Sequence, residues 1–121
     1  MRIAFIAHDE RKAALIDLVD EHIELLDGFD CLATGSTGER LEEETGLGVE
    51  RVESGSHGGD MMVGAAVATG DCDGVIFLRD PLTAKPHEPD IMALLRVCDV
   101  HDVPVATNRS SAEMMMSHLA E

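Results

Sequence analysis

Five short apolar runs, each followed by a stretch with helical periodicity, divide this chain, and that alternation limits its fold more than any other feature. Residues 2–7 (RIAFIA) form the first run, 29–33 the second, 49–53 a weaker third, 74–78 the fourth and 104–107 the fifth. An apolar run of this length without polar alternation reads as a strand covered on both faces. Between the first two runs, Ile16, Val19, Ile23 and Leu26 recur at helical spacing, while Asp17, Asp20, Glu21, Glu24 and Asp27 take the other side. That pattern predicts an amphipathic helix over 12–26 whose acidic stripe is a solvated face. Further helices are expected over 37–44, ended by Gly46; over 60–69, closed by Gly70; over 89–100, with Pro89 in the first turn; and over 111–119. Strict strand–helix alternation implies a parallel sheet with helices on both faces. Right-handed crossovers make it a doubly wound, flavodoxin-like α/β domain of five strands. The 121 residues suffice for one such domain, spanning 1–121, and leave no room for a second.

Charge narrows the function classes. Acids outnumber Lys and Arg by 24 to 9, for a formal net charge of −15. A surface this acidic argues against binding nucleic acid, whose phosphates demand basic patches. The apolar content of 45% argues against disorder. No apolar run reaches the ~18–20 residues of a membrane span, and the opening MRIAFIAHDE turns polar too soon for a secretory signal. A cytoplasmic protein is therefore expected. Cys31, Cys72 and Cys98 are widely spaced, odd in number and without a CxxC, so they read as core residues and not as a disulfide or zinc framework. Only two lysines accompany the acids, and aromatics are three Phe with no Trp or Tyr. Together these favour adaptation to high intracellular salt, where an acidic surface stays soluble and its self-repulsion is screened.

In doubly wound sheets, ligands bind beyond the carboxyl ends of the strands, so the chemistry is sought in the segments after each run. Lys12, Lys85, Arg11, Arg79 and Arg109 all fall in those segments, which points to an anionic small molecule. Thr34-Gly35-Ser36-Thr37-Gly38 runs into a helix start, where hydroxyls, free N–H groups and the helix dipole can cradle a phosphate. Taken alone it is equally a simple cap. Lys12, from the neighbouring segment, strengthens the cradle. Gly58-Gly59-Asp60 puts a carboxylate at another helix start. From the triplet alone an N-cap aspartate is the simpler reading, but the two glycines would let a ligand approach the backbone. His87 precedes the helix of 89–100. An imidazole facing a helix N-terminus is favoured in its neutral form, able to polarise a carbonyl and relay a proton. Neither an HxxxH pair nor a calcium-loop spacing is present, so no metal is expected. A carboxylate, an imidazole and a phosphate cradle suit proton abstraction beside a carbonyl on a small phosphorylated substrate. The pattern does not separate isomerisation from elimination, or catalysis from binding.

Taken in order, AHD…K, ATGSTG, SGSHGGD, RDPLTAKPHEPD, ALLR and VPVATN resemble the methylglyoxal synthase family, collinearly from Arg2 to about Ala112. The most specific parts are GGD at Gly58, Gly59 and Asp60, and DPL…PHEPD between Asp80 and Asp90. The resemblance implies a carbon–oxygen lyase that converts dihydroxyacetone phosphate to methylglyoxal and inorganic phosphate through an enediolate, with no metal or cofactor. By motif position, Asp60 would be the base and His87 would polarise the carbonyl and shuttle a proton. Asp80 and Asp90 would be supporting carboxylates. His8, Lys12, Thr34, Ser36, Thr37, Ser54 and Gly55 would hold the substrate and its phosphate. A homohexamer is the assembly the family suggests. Ser56-His57 departs from the family pattern, where residues such as Pro-Met are expected, and reads as local variation. Longer members continue past the position of Glu121. The same fold also serves as a non-catalytic anion- or nucleotide-binding regulatory module, which is the alternative. A receiver-like signalling domain ranks last, because Ser54-Gly55 stands where a phosphoacceptor aspartate would be needed.

Overall fold

The computed structural model describes residues 1–121. Five parallel strands form one sheet: β1 (Arg2–Ala7), β2 (Asp30–Ala33), β3 (Glu50–Arg51), β4 (Gly74–Leu78) and β5 (Val105–Ala106). Six helices connect and flank them: α1 (Lys12–Glu21), α2 (Ile23–Leu26), α3 (Gly35–Thr45), α4 (Gly59–Ala68), α5 (Glu88–Val100) and α6 (Arg109–Leu119). Two short 3₁₀ turns, Asp9–Arg11 and Gly55–His57, precede α1 and α4. The strand order is β3-β2-β1-β4-β5. The expected doubly wound, five-stranded parallel class is therefore the observed one. Within that class the third strand extends the β2 edge, whereas flavodoxin's own order is 2-1-3-4-5. The winding direction reverses between β1 and β4, and the site lies beyond the carboxyl ends of these strands.

The two-sided burial expected of apolar runs is literal in β1. Ile3, Phe5 and Ala7 point into one core, with Leu15, Leu18, Leu41 and Met116. Ala4 and Ile6 point into the other, with Val63, Val67, Ile91 and Leu94. β4 divides the same way, Ile76 and Leu78 against Val75 and Phe77. Thus α1, α3 and α6 cover one face and α4 and α5 the other. The three cysteines are free and buried in these cores, and burial pushes the Cys31 and Cys98 thiols up to about 11. Such thiols are inert packing residues.

Most expected element ends lie within one or two residues of the observed ones, the usual looseness of helix ends. The larger differences have physical causes. The helix expected over 12–26 is broken at His22 (φ −115°, ψ 21°), whose N–H bonds Val19 O in a tightened three-residue step. The third and fifth strands, the two edges of the sheet, pair over only two residues each within the expected 49–53 and 104–107. Pro104 adds no N–H to the ladder, but its carbonyl accepts from Val75 N–H at 2.9 Å. Gly46 ends α3 in the left-handed region (φ 76°), as its position suggested.

Candidate active site

A cavity of about 200 Å³ opens at the carboxyl end of β1, lined from both halves of the sheet. One side of the cavity is built from two turn starts that face each other. Thr34 caps α3 in extended backbone (φ −66°, ψ 154°) without using its hydroxyl to do so, and the first bond of the helix runs from Gly38 N–H to Thr34 O at 2.7 Å. The N–H groups of Ser36 and Thr37 lie ahead of that bond and have no intrahelical acceptor. Across from them Ser54 begins the 3₁₀ turn in the same extended geometry. The starts are close enough that a Cβ on Gly35 would lie 3.3 Å from Ser54 N. Thr34, Ser36, Ser54 and Gly55 line the cavity.

Lys12 stands at the first position of α1, its side chain only 8% exposed. Its Nζ donates to Ala7 O at 3.1 Å and to Asp9 Oδ1 at 2.5 Å. That ammonium holds the Asp9 carboxyl below the usual range. Thr37 is buried beneath this arrangement, and its hydroxyl donates to the same Ala7 carbonyl at 3.4 Å. Thr37 does not line the cavity; it supports the carbonyl that anchors Lys12. The other cations are distributed differently from one another. Lys85 lines the cavity. Arg11 and Arg79 line a neighbouring open cleft. Arg109 is occupied by Asp17, Glu21 and Glu113 on the α1–α6 surface.

The acid–base side is held by β1, α4 and the start of α5. His8 is buried, and its Nδ1 accepts the Asp80 backbone N–H at 2.9 Å. Burial lowers its pKa, helped by the positive charge of Lys85, His87 and Arg79. The neutral ring therefore carries its proton on Nε2, which is buried without a partner. Asp80 acts here through its backbone: its carboxylate accepts Leu82 N–H at 3.0 Å within its own loop and does not line the cavity.

Asp60 is the second residue of α4, and Gly58 (φ 94°) occupies the cap position that the triplet alone suggested for the aspartate. Its carboxylate is fully buried, and neither oxygen has a hydrogen-bond partner. Burial raises its pKa to about 6; the Asp90 charge pushes the same way and His87 opposes both. Asp90, in the first turn of α5, is thus a neighbour of the carboxylate and not a wall of the cavity. His87 Nε2 faces Asp60 Oδ2 at 3.7 Å, beyond hydrogen-bond length. The gap is kept open by Gly55, where a Cβ would lie 3.0 Å from Asp60 Oδ1 and 3.5 Å from His87 Nε2. Asp9, Ser56 and Lys85 also line the cavity although no motif singled them out as site residues; for Lys85 the clustering of cations after the strands was the available signal. No group of three or more His, Cys, Asp or Glu side chains is arranged to hold a metal ion.

A small polar cavity with a buried carboxylate and two imidazoles, at the strand ends of a parallel sheet, defines a doubly wound α/β protein with an acid–base site. Comparison with known proteins makes this specific. Residues 14–107 match the MGS-like domain family. The methylglyoxal synthase of Moorella thermoacetica is 56% identical over 121 residues, covering 100% of this chain and 94% of that protein. That of Bacillus subtilis is 49% identical over 121 residues, covering 100% of this chain and 88% of its own. The crystal structure of methylglyoxal synthase from Elizabethkingia anophelis NUHP1 superposes with a TM-score of 0.90 at 40% identity, covering 96% of this chain and 76% of that one. The chain belongs to the methylglyoxal synthase family.

Proposed function

We propose that this protein is an enzyme, a lyase that converts dihydroxyacetone phosphate to methylglyoxal and inorganic phosphate. The observation that carries the reading is Asp60: a carboxylate fully buried, with both oxygens unpartnered, beside an imidazole and a gap held open by glycine. A binding module needs the anion cradle but gains nothing from that costly group. Asp60 removes a proton from the hydroxyl-bearing carbon, and its raised pKa suits a base working near neutrality. The enediolate oxygens are stabilised by His8 Nε2–H and by His87, which moves a proton between them. Collapse of the enediolate breaks the bond from carbon to the phosphate ester oxygen. Phosphate leaves into the cradle of Thr34, Ser36, Ser54, Gly55 and Lys12, and the enol that remains tautomerises to methylglyoxal. Asp90 tunes Asp60 through its charge, Asp80 fixes the His8 tautomer through its N–H, and Thr37 positions Lys12.

The test is incubation with dihydroxyacetone phosphate in molar KCl, with methylglyoxal and phosphate assayed separately. Both should appear in equal amounts. Glyceraldehyde 3-phosphate would mean isomerisation instead. Asp60→Asn keeps the shape but cannot accept the proton, so kcat should fall by at least the ~10²–10⁴-fold typical of a general base. A folded Asp60→Asn protein with near-parent turnover sinks the mechanism.

The 121 residues act as one domain in the cytoplasm, and no helix is long and apolar enough to cross a membrane. The −15 charge supports a working environment rich in salt. Met61 and Met62 on α4 and Met92 on α5 are 45–56% exposed. An apolar surface there supports a homo-oligomer, the hexamer of the family resemblance, in which a second copy covers these helices.

A further inference from the structure

We propose that His57 is a positioning residue: its imidazole holds the Ser54 hydroxyl so that the hydroxyl proton points into the cavity, at the phosphate of the substrate. The proposal rests on the reading of this cavity as a phosphate-ester site.

Ser54 lines the cavity and begins the 3₁₀ turn. Its carbonyl is already engaged by His57 N–H at 3.0 Å and Gly59 N–H at 2.9 Å. Its hydroxyl makes no cap bond and lies 2.8 Å from His57 Nδ1. Ser56 Oγ is farther from the same nitrogen, at 3.4 Å. Gly58, at φ 94°, reverses the chain directly after His57. A hydroxyl has one proton and two lone pairs, so the pair has two arrangements. If Ser54 gives its proton to Nδ1, it presents lone pairs to the cavity, and a phosphate oxygen is repelled. If Nδ1 carries the proton, Ser54 accepts it and keeps its own proton for the phosphate. A phosphate dianion, all acceptor, selects the second. His57 is exposed, so its Nε2 is solvated in either tautomer and the selection costs little. With phosphate bound, the imidazole thus holds the hydroxyl as a donor to the anion.

The test is a double-mutant cycle on the full chain. It reads KM and kcat for dihydroxyacetone phosphate, and inorganic phosphate binding by calorimetry. His57→Leu should raise KM and weaken phosphate binding by the roughly 2- to 10-fold that one hydrogen bond is worth, with kcat nearly unchanged. Ser54→Ala should do the same, and adding His57→Leu to it should bring no further loss. His57→Asn, whose amide N–H stands close to the place of Nδ1–H, should restore most of the binding; a purely structural role would not be rescued this way. The melting temperature should not move in any of these variants. Unchanged KM and phosphate binding in His57→Leu, or losses that multiply in the double variant, overturn the proposal while leaving the catalytic reading intact. Phosphate binding that follows the expected pattern in a protein without turnover supports it and overturns the catalytic reading instead. A parent that neither turns over substrate nor binds phosphate overturns both.

Discussion

At the scale of single residues, Asp60 sets function against stability. Its carboxyl pKa is raised from 3.8 to about 6 in the folded chain, chiefly by burial. Well below pH 3.8 the group is protonated in both folded and unfolded states and costs nothing. As pH rises the unfolded chain ionises first, so stability falls, and above about pH 6 the full penalty, roughly 3 kcal/mol, is present. Asp60→Asn, which does not titrate, should therefore gain melting temperature relative to the parent as pH rises from about 3 to about 7, while being inactive. The difference should be smallest near about pH 3, below both values, and melting curves across that range check it. Gly55→Ala should behave differently. Its Cβ would enter the gap 3.0 Å from Asp60 Oδ1, displacing substrate by about an ångström and lowering kcat/KM on the order of 10²-fold, with little change in melting temperature. The family resemblance implied roles for Asp60 and His87, but nothing in the sequence signalled the Asp80 backbone N–H that fixes the His8 tautomer. Sequence shows which side chains are available; it does not show which end of a residue reaches the site.

At the scale of elements, α4 depends on one close approach. A Cβ on Gly59 would fall 2.0 Å from Glu53 O, so the start of this helix lies against the segment after β3 with no room for a side chain. Gly59→Ala must push the two apart. It should cost the upper end of the ~1–3 kcal/mol of an overpacked site and, because Asp60 follows directly, most of the activity. Urea unfolding beside an activity assay checks both losses together. β1 and β4 were legible because burial on both faces leaves unbroken apolar runs, whereas the exposed β3 left only a weak signal. The break at His22 was not. It falls at neither Pro nor Gly, and Ile23 and Leu26 continue the apolar pattern across it, so periodicity carries no mark of the tightened step.

At the scale of the whole molecule, the −15 charge is spread over a small surface, and like charges at that density repel in dilute buffer. The proposed salt adaptation then has a direct signature: the melting temperature should rise strongly between dilute buffer and molar KCl, as screening shortens the reach of that repulsion. An unchanged melting temperature would remove the idea. Screening also takes away the repulsion that keeps separate chains apart, and here the two short edges of the sheet acquire a second importance. β3 and β5 pair over two residues each, and β3 presents the charged Glu50 and Arg51. An edge so short and so charged gives an incoming strand almost nothing to extend. The shortness of these edges opposes fibre-like aggregation, and that part of the protection is backbone geometry, which salt does not weaken.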